Sequence, residues 1–436
     1  MTVLDVMLWI LSPIVTAAVV WLFAVIGAVY GVRRLLRLWS TVPASETPLQ
    51  LALSLQSTPP WILLSIQQRA ETGDMIIRPM GSRRPGPGLD AIDLVPAQLS
   101  RSPLPIDADV DLAIELCSHV PRPVRLELPV FVAGMGYGLA LSREAKLALV
   151  RGAALAGTAI HSGEGAFVPE EPVLAYRWFY QIGRGQWTHR PELVRLADLV
   201  EIHAGQGAEF GAPLTKPPFR LGQDLARTLG LSAQQPATIP AGLNWRGRPL
   251  TLAELVELVR GFNPFVPIGV KLGAGDAIEE DLAVAVAAGV DFITIDGGEA
   301  ATGGAPASLN ESVGIPLLHA LHRAVRFLER CDLRGRIALI ASGGLREPAD
   351  FVKVLALGAD AVAIGSAALF AISHRQVERI LPRPPLRLVL HGSRESQDFN
   401  VELGAHQLAN YLESCRKEMQ LLLRTLGKRR VGELDR

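Results

Sequence analysis

Residues 337–369 read IALIASGGLREPADFVKVLALGADAVAIGSAAL. An apolar, β-rich run over 337–342 breaks at Gly343-Gly344. Pro348 follows near the start of a helical pattern that reaches Leu357, a position where its missing N–H costs little. A second run, 360–365, ends in Gly365-Ser366. Strand, helix and strand at this spacing predict a parallel pair with a covering helix. Glycine at a strand's carboxyl end removes the Cβ, so a phosphate can approach the backbone closely.

The same break recurs upstream, at Val270-Lys271-Leu272-Gly273 and Ile295-Asp296-Gly297-Gly298. The regular pattern begins near Leu128. It predicts strands at 130–133, 158–161, 177–182, 199–204, 267–272, 291–296, 337–342 and 360–365. Helices are expected between most of them. One is capped by Ser142 and runs to Leu155; another opens with the capping box Thr251-x-x-Glu254. Two more cover 279–288 and 317–328. Eight units over about 240 residues predict an α/β chain, a (β/α)8 TIM barrel. Barrels of this class commonly hold a phosphate at the loops after the last two strands, here Gly343-Gly344 and Gly365-Ser366. The connection from Ala204 to Thr251 is long, as expected of a lid, a binding segment or an inserted subdomain. A C-terminal helix over about 405–426 carries Leu408, Leu412, Cys415, Met419, Leu422 and Leu426 on one face, with Gly427 as its stop.

Lys+Arg and Asp+Glu are both 43, so charge offers nothing to a nucleic acid. Cys117, Cys331 and Cys415 are too scattered for a disulfide framework or a CxxC metal site, and no metal is expected. Residues 6–32 carry no charge. As a helix this stretch is roughly 40 Å long, enough for a single transmembrane span. Arg33, Arg34 and Arg37 follow it and Asp5 precedes it, which puts the large domain in the cytoplasm. A cleaved signal peptide would place its basic residues on the other side. The expected layout is a membrane anchor at 1–40, an N-terminal extension at 41–127, the barrel at 128–390 and a C-terminal helical extension at 391–436.

Further motifs sit at the expected strand ends. They are Met135-Gly136-Tyr137-Gly138-Leu139-Ala140-Leu141-Ser142, Ser162-Gly163-Glu164-Gly165, Gly183-Arg184 and Glu201-Ile202-His203-Ala204-Gly205-Gln206-Gly207-Ala208. Lys271, Asp296-Gly297, Thr302-Gly303, Ala305-Pro306, Gly343-Gly344-Leu345-Arg346 and Gly365-Ser366-Ala367-Ala368 complete the series. Over roughly residues 93 to 426 the chain resembles the FMN-binding synthase domain of glutamate synthases. The resemblance implies that ammonia and 2-oxoglutarate condense to an imine, which reduced FMN converts to L-glutamate. It implies cofactor contacts from Ala133, Gly134, Met135, Lys271, Asp296, Gly303, Ser342, Gly343, Gly344, Gly365 and Ser366. A reduced flavin gathers negative charge at one edge, which a fixed cation stabilises, and Lys271 is the candidate. Glu164 and Gln206 are the other expected catalytic residues, Glu164 to position ammonia or handle a proton. Arg184 supplies a planar fork for a carboxylate, with His203 and Thr302 as further substrate contacts.

The chain also departs from the family. His203 stands where a lysine is typical, and a second basic position near Glu209 is missing. Both losses weaken the case for a dicarboxylate. No cysteine lies between Phe370 and His391, so no iron–sulfur cluster is expected, and an external electron-donor protein is. Two other readings stay open: a related flavin barrel acting on a different keto acid or imine, and a non-catalytic flavin-binding module at the membrane.

Overall fold

A computed structural model describes residues 3–41, 58, 60–73, 88–207, 209–216, 218–300, 313–383 and 385–434. Eight strands close into a barrel: β1 (Val130–Val132), β2 (Ala159–His161), β3 (Arg177–Ile182), β4 (Leu199–His203), β5 (Ile268–Gly273), β6 (Phe292–Asp296), β7 (Ala338–Ser342) and β8 (Ala361–Ile364). Each pairs in parallel with the next, and β8 pairs with β1. Every strand falls within one residue of its expected ends.

Alternation along the strands divides the side chains into two sets. One set, including Phe131, Phe179, Leu199, Phe292, Ile340 and Ala361, fills the barrel interior. The other set packs outward under the helices, so strands buried on both faces read as nearly continuous apolar runs. The interior is tight. A Cβ at Gly269 on β5 would collide with the Phe292 ring of β6. The floor is closed by a hairpin of Ile114–Leu116 and Val124–Leu126, whose Leu116, Val124 and Leu126 join the interior cluster.

Local signals place the covering helices. Ser142 Oγ accepts from the Ala145 amide at 3.1 Å and opens Arg143–Leu155. Thr251 and Glu254 form the reciprocal box that opens Leu252–Phe262. Pro348 starts Pro348–Ala356. The C-terminal helix, Val401–Thr425, begins four residues earlier than expected because Asn400 accepts from the Leu403 amide at 2.9 Å and caps it. Its buried face, with Leu408, Leu412, Cys415 and Met419, packs on Arg143–Leu155 and on the helix Pro60–Thr72. Cys415 is a small core residue there.

The long connection is an inserted subdomain. It holds an antiparallel pair, Leu214–Lys216 with Ala237–Ile239, and an apolar cluster of Leu221, Leu225, Leu229 and Ala237. Lys216 Nζ donates to the carbonyls of Gly138 and Leu139, at 2.9 and 3.0 Å, and ties the insertion to the loop after β1.

Of the described residues, 3–41, 58 and 382–383 belong to a separate unit. Its helix, Val3–Thr41, contains a 20-residue stretch, Val15–Arg34, of mean hydropathy 2.2. That stretch is long and apolar enough to cross a membrane.

Gly269→Ala is expected to lower stability by about 1–3 kcal/mol through overpacking. Adding Phe292→Leu to that variant should restore part of the loss. Urea unfolding followed by circular dichroism checks this; an unchanged midpoint for Gly269→Ala would contradict the packing described.

Candidate active site

The period-two rule turns Glu201 of β4 into the barrel, where a lone carboxylate would be costly. Three strands satisfy it. His161 of β2 reaches Oε1 through Nε2 at 3.0 Å, Gln181 of β3 donates to Oε1 at 2.8 Å, and Thr294 of β6 donates to Oε2 at 2.6 Å. The Gly163 amide donates to His161 Nδ1 at 3.1 Å, which fixes Nε2 as the protonated nitrogen. Burial would raise the Glu201 pKa, but the His161 contact, the Lys271 charge and the Thr294 hydroxyl outweigh it and hold it at about 2. Burial lowers the pKa of His161 itself, so the ring serves Glu201 mainly as an N–H donor.

Lys271 of β5 lies above this carboxylate and is 5% exposed. Its Nζ is 3.2 Å from Asp296 Oδ2 of β6. Burial alone would lower its pKa; Asp296 and Glu201 outweigh that and raise it. Asp296 Oδ2 also accepts from the Gly207 amide at 3.1 Å, while Oδ1 is buried with no partner. A cavity between these groups is lined by Phe131, Ala133, Gly134, His161, Glu201, Lys271, Thr294, Ser342 and Ala363. Ala133, Gly134, Lys271 and Ser342 of the expected cofactor set therefore share one space, with Asp296 beside it.

Across the mouth, Gly343 and Gly344 have φ of +111° and +71°, a region that favours glycine. Gly365 begins the helix Ser366–Ser373, with no side chain capping it and open space where a Cβ would point. These features suit a phosphate group. The Glu299 side chain lies against Gly344, but its carboxylate turns away to accept from the Leu317 amide at 2.9 Å. Thr302 and Gly303 lie outside the described residues.

A second cluster sits over the ends of β2, β3 and β4. His203 Nδ1 is 3.1 Å from Glu164 Oε2, and Glu164 Oε1 accepts from the Gly185 amide at 2.8 Å. Burial would raise the Glu164 pKa, but His203 and that amide lower it overall. Arg184 is fully buried. Its Nη1 donates to the carbonyls of Ala212 and Pro240 in the insertion, and its Nη2 is 3.5 Å from Glu209 Oε1. Gln206 supplies a carbonyl to the amides of Glu209 and Phe210.

Lys146 received no role from sequence, yet it braces both first turns. Fully buried, its Nζ donates to the carbonyls of Met135, His161 and Ser162 at 3.0, 2.6 and 2.9 Å. Glu201, Gln181, Thr294 and Glu209 were also unassigned. The available signal was a polar side chain at an inward position of a strand buried on both faces.

Residues 91–429 match the family described as the conserved region in glutamate synthase. The chain belongs to the glutamate synthase family. A glutamate synthase large subunit-like protein of Rhizobium meliloti (strain 1021) is 30% identical over 406 residues, covering 86% of this chain and 89% of that protein. An archaeal-type glutamate synthase (NADPH) of Thermotoga maritima is 29% identical, covering 85% of this chain and 78% of that one. Among solved structures, a mandelate oxidase with (S)-4-hydroxymandelic acid superposes with a TM-score of 0.55 at 20% identity, covering 85% of this chain and 96% of that chain. A mutant flavocytochrome b2 with pyruvate bound gives 0.51 at 19%, covering 85% and 81%. These two show a shared barrel fold. As a member of the glutamate synthase family, the chain is an oxidoreductase of that type.

Glu201 has a folded pKa below its unfolded value of about 4.3, so its stabilisation is present above that pH and fades as pH falls towards about 2. Glu201→Gln is expected to cost about 1–3 kcal/mol at neutral pH and to flatten the acid limb of stability against pH. An unaltered acid limb would contradict this account of Glu201.

Proposed function

We propose that this chain is an FMN-dependent oxidoreductase that reduces 2-iminoglutarate, formed from 2-oxoglutarate and ammonia, to L-glutamate. The observation that carries the reading is Lys271, a buried lysine kept charged beside a cavity on the barrel axis. FMN, when bound, supplies the hydride. The phosphate end fits Gly343, Gly344 and the uncapped start of Ser366–Ser373. The ring end fits Ala133, Gly134, Met135 and Lys271, whose charge favours an electron-rich flavin edge. Asp296 holds Lys271 in place and keeps it protonated.

On the substrate side, Arg184 has Nε and Nη2 buried without hydrogen-bond partners. That edge, whose Nη2 already lies 3.5 Å from Glu209 Oε1, is the proposed place for a substrate carboxylate. Glu164, oriented by the Gly185 amide and by His203, handles a proton next to it. Gln206 shapes the loop that carries Glu209, and Thr302 and Gly303 are assigned to substrate and cofactor from the family pattern. The apolar helix Val3–Thr41 supports a single membrane span; the basic residues that follow it favour a cytoplasmic barrel, and an external protein is the proposed electron donor. Deleting residues 1–41 should move the protein from the membrane to the soluble fraction; unchanged fractionation would remove the anchor.

One observation favours a second reading, a keto acid with a single carboxylate. Two cations of the candidate site, Lys271 and Arg184, already face carboxylates, Asp296 and Glu209. A dicarboxylate would add two further negative charges.

The test is reoxidation of the photoreduced, FMN-loaded protein. Rapid reoxidation by 2-oxoglutarate plus ammonium, slowed about 100-fold or more in Lys271→Met, is expected. Reoxidation only by a monocarboxylate keto acid selects the second reading. Reoxidation by neither, in protein that retains FMN, removes both.

A further inference from the structure

We propose that Glu201 sets the reduction potential of the bound flavin and holds it below that of free FMN. The inference rests on the FMN-binding reading above. A reduced flavin gathers negative charge that the oxidised ring does not carry. A site that binds the oxidised form more tightly lowers the potential, and a pocket with excess negative charge does so through its field.

The charges around the cavity carry that excess. Lys271 and Glu201 line the same space, and Asp296 lies 3.2 Å from Lys271 Nζ. One lysine therefore faces two carboxylates. Glu201 is well hydrogen-bonded, yet its charge is not cancelled. Its donors are the Gln181 amide, the Thr294 hydroxyl and His161 Nε2. The first two are neutral groups. The His161 ring is neutral too, because its Nδ1 accepts from the Gly163 amide and so carries no proton. Burial favours the same state of that ring. Donors of this kind keep a carboxylate ionised without offsetting its charge. Two other buried cations nearby are matched by carboxylates of their own. Lys146 Nζ is 3.7 Å from Glu171, and Arg184 Nη2 is 3.5 Å from Glu209.

Lys271 and Glu201 thus act in opposite senses. Lys271 fixes where negative charge collects on the ring, and Glu201 with Asp296 sets how much that charge costs. Asp296 is committed to Lys271 and to the Gly207 amide. Glu201 holds its charge on neutral donors, in a wall of the cavity itself. A low potential makes reduced FMN a stronger hydride donor, which suits the reduction of an imine. It also defines what must precede this reaction: an electron donor more reducing than free FMN.

The test is the reduction potential of the detergent-purified, FMN-loaded full chain, read against a reference dye during slow reduction. A wild-type potential below that of free FMN is expected. Glu201→Gln should favour reduced over oxidised FMN by at least about tenfold, a rise of about 30 mV for a two-electron couple. Two further variants separate charge from packing. Glu201→Asp keeps the charge and disturbs the hydrogen bonds, while Thr294→Val removes one of those bonds and leaves the charge. Both should move the potential far less than Glu201→Gln does, with FMN content and unfolding midpoint measured for each. A wild-type potential above that of free FMN, an unmoved potential in Glu201→Gln, or equal shifts in all three variants would overturn the proposal. Failure to take up FMN would overturn it together with the flavin reading. The predicted shifts in a protein that reduces no imine would leave the role of Glu201 standing and remove the catalytic reading alone.

Discussion

One carboxylate organises the upper half of the barrel. Glu201 is buried at the floor of the cavity, and hydrogen bonds from β2, β3 and β6 converge on it. Each donor leaves its own strand at an inward position, and the bonds from His161 and Thr294 tie β4 to β2 and β6, strands with which it shares no ladder. The interaction is high-stakes because an unsatisfied carboxylate at that depth would cost several kcal/mol. It also supplies negative charge beneath Lys271, which with Asp296 keeps that lysine protonated despite burial. The electrostatics of the mouth therefore begin one layer below it.

The loops above depend on similar internal ties. Lys146 gathers three carbonyls from the turns after β1 and β2 and holds them where glycines already bring backbones into contact. A Cβ on Gly136 or Gly163 would run into the opposing turn. Arg184 and Lys216 use the same device further out, each gripping carbonyls to anchor the insertion or the turn it covers. Cations bonded to several carbonyls place these turns precisely.

Strand and cap chemistry made most of the fold legible in the sequence. Alternating apolar runs ending in glycine located all eight strands, and Ser142, Thr251 and Pro348 marked helix starts. The last helix was read four residues short because its cap, Asn400, precedes the apolar face that revealed it. Of the candidate site, Lys271, Asp296 and the glycines after β7 and β8 could be read from strand-end motifs. Glu201, Gln181 and Thr294 could not, since their importance appears only when inward positions of β3, β4 and β6 face one point in the closed barrel. Lys146 was hidden for a similar reason: on a helix it reads as a solvated charge, yet it is wholly buried. Arg184 was expected as an open fork; the structure instead encloses it, with one edge spent on carbonyls and the other without hydrogen-bond partners.

The account turns on a flavin mononucleotide held at the mouth with its phosphate on the backbone of the last two loops. Titrating the apo-protein with FMN and with riboflavin, followed by flavin fluorescence, tests this most directly. Stoichiometric FMN binding, with riboflavin at least about 100-fold weaker for want of its phosphate contacts, is the predicted result. Equal affinity for the two, or no uptake of either, would contradict it.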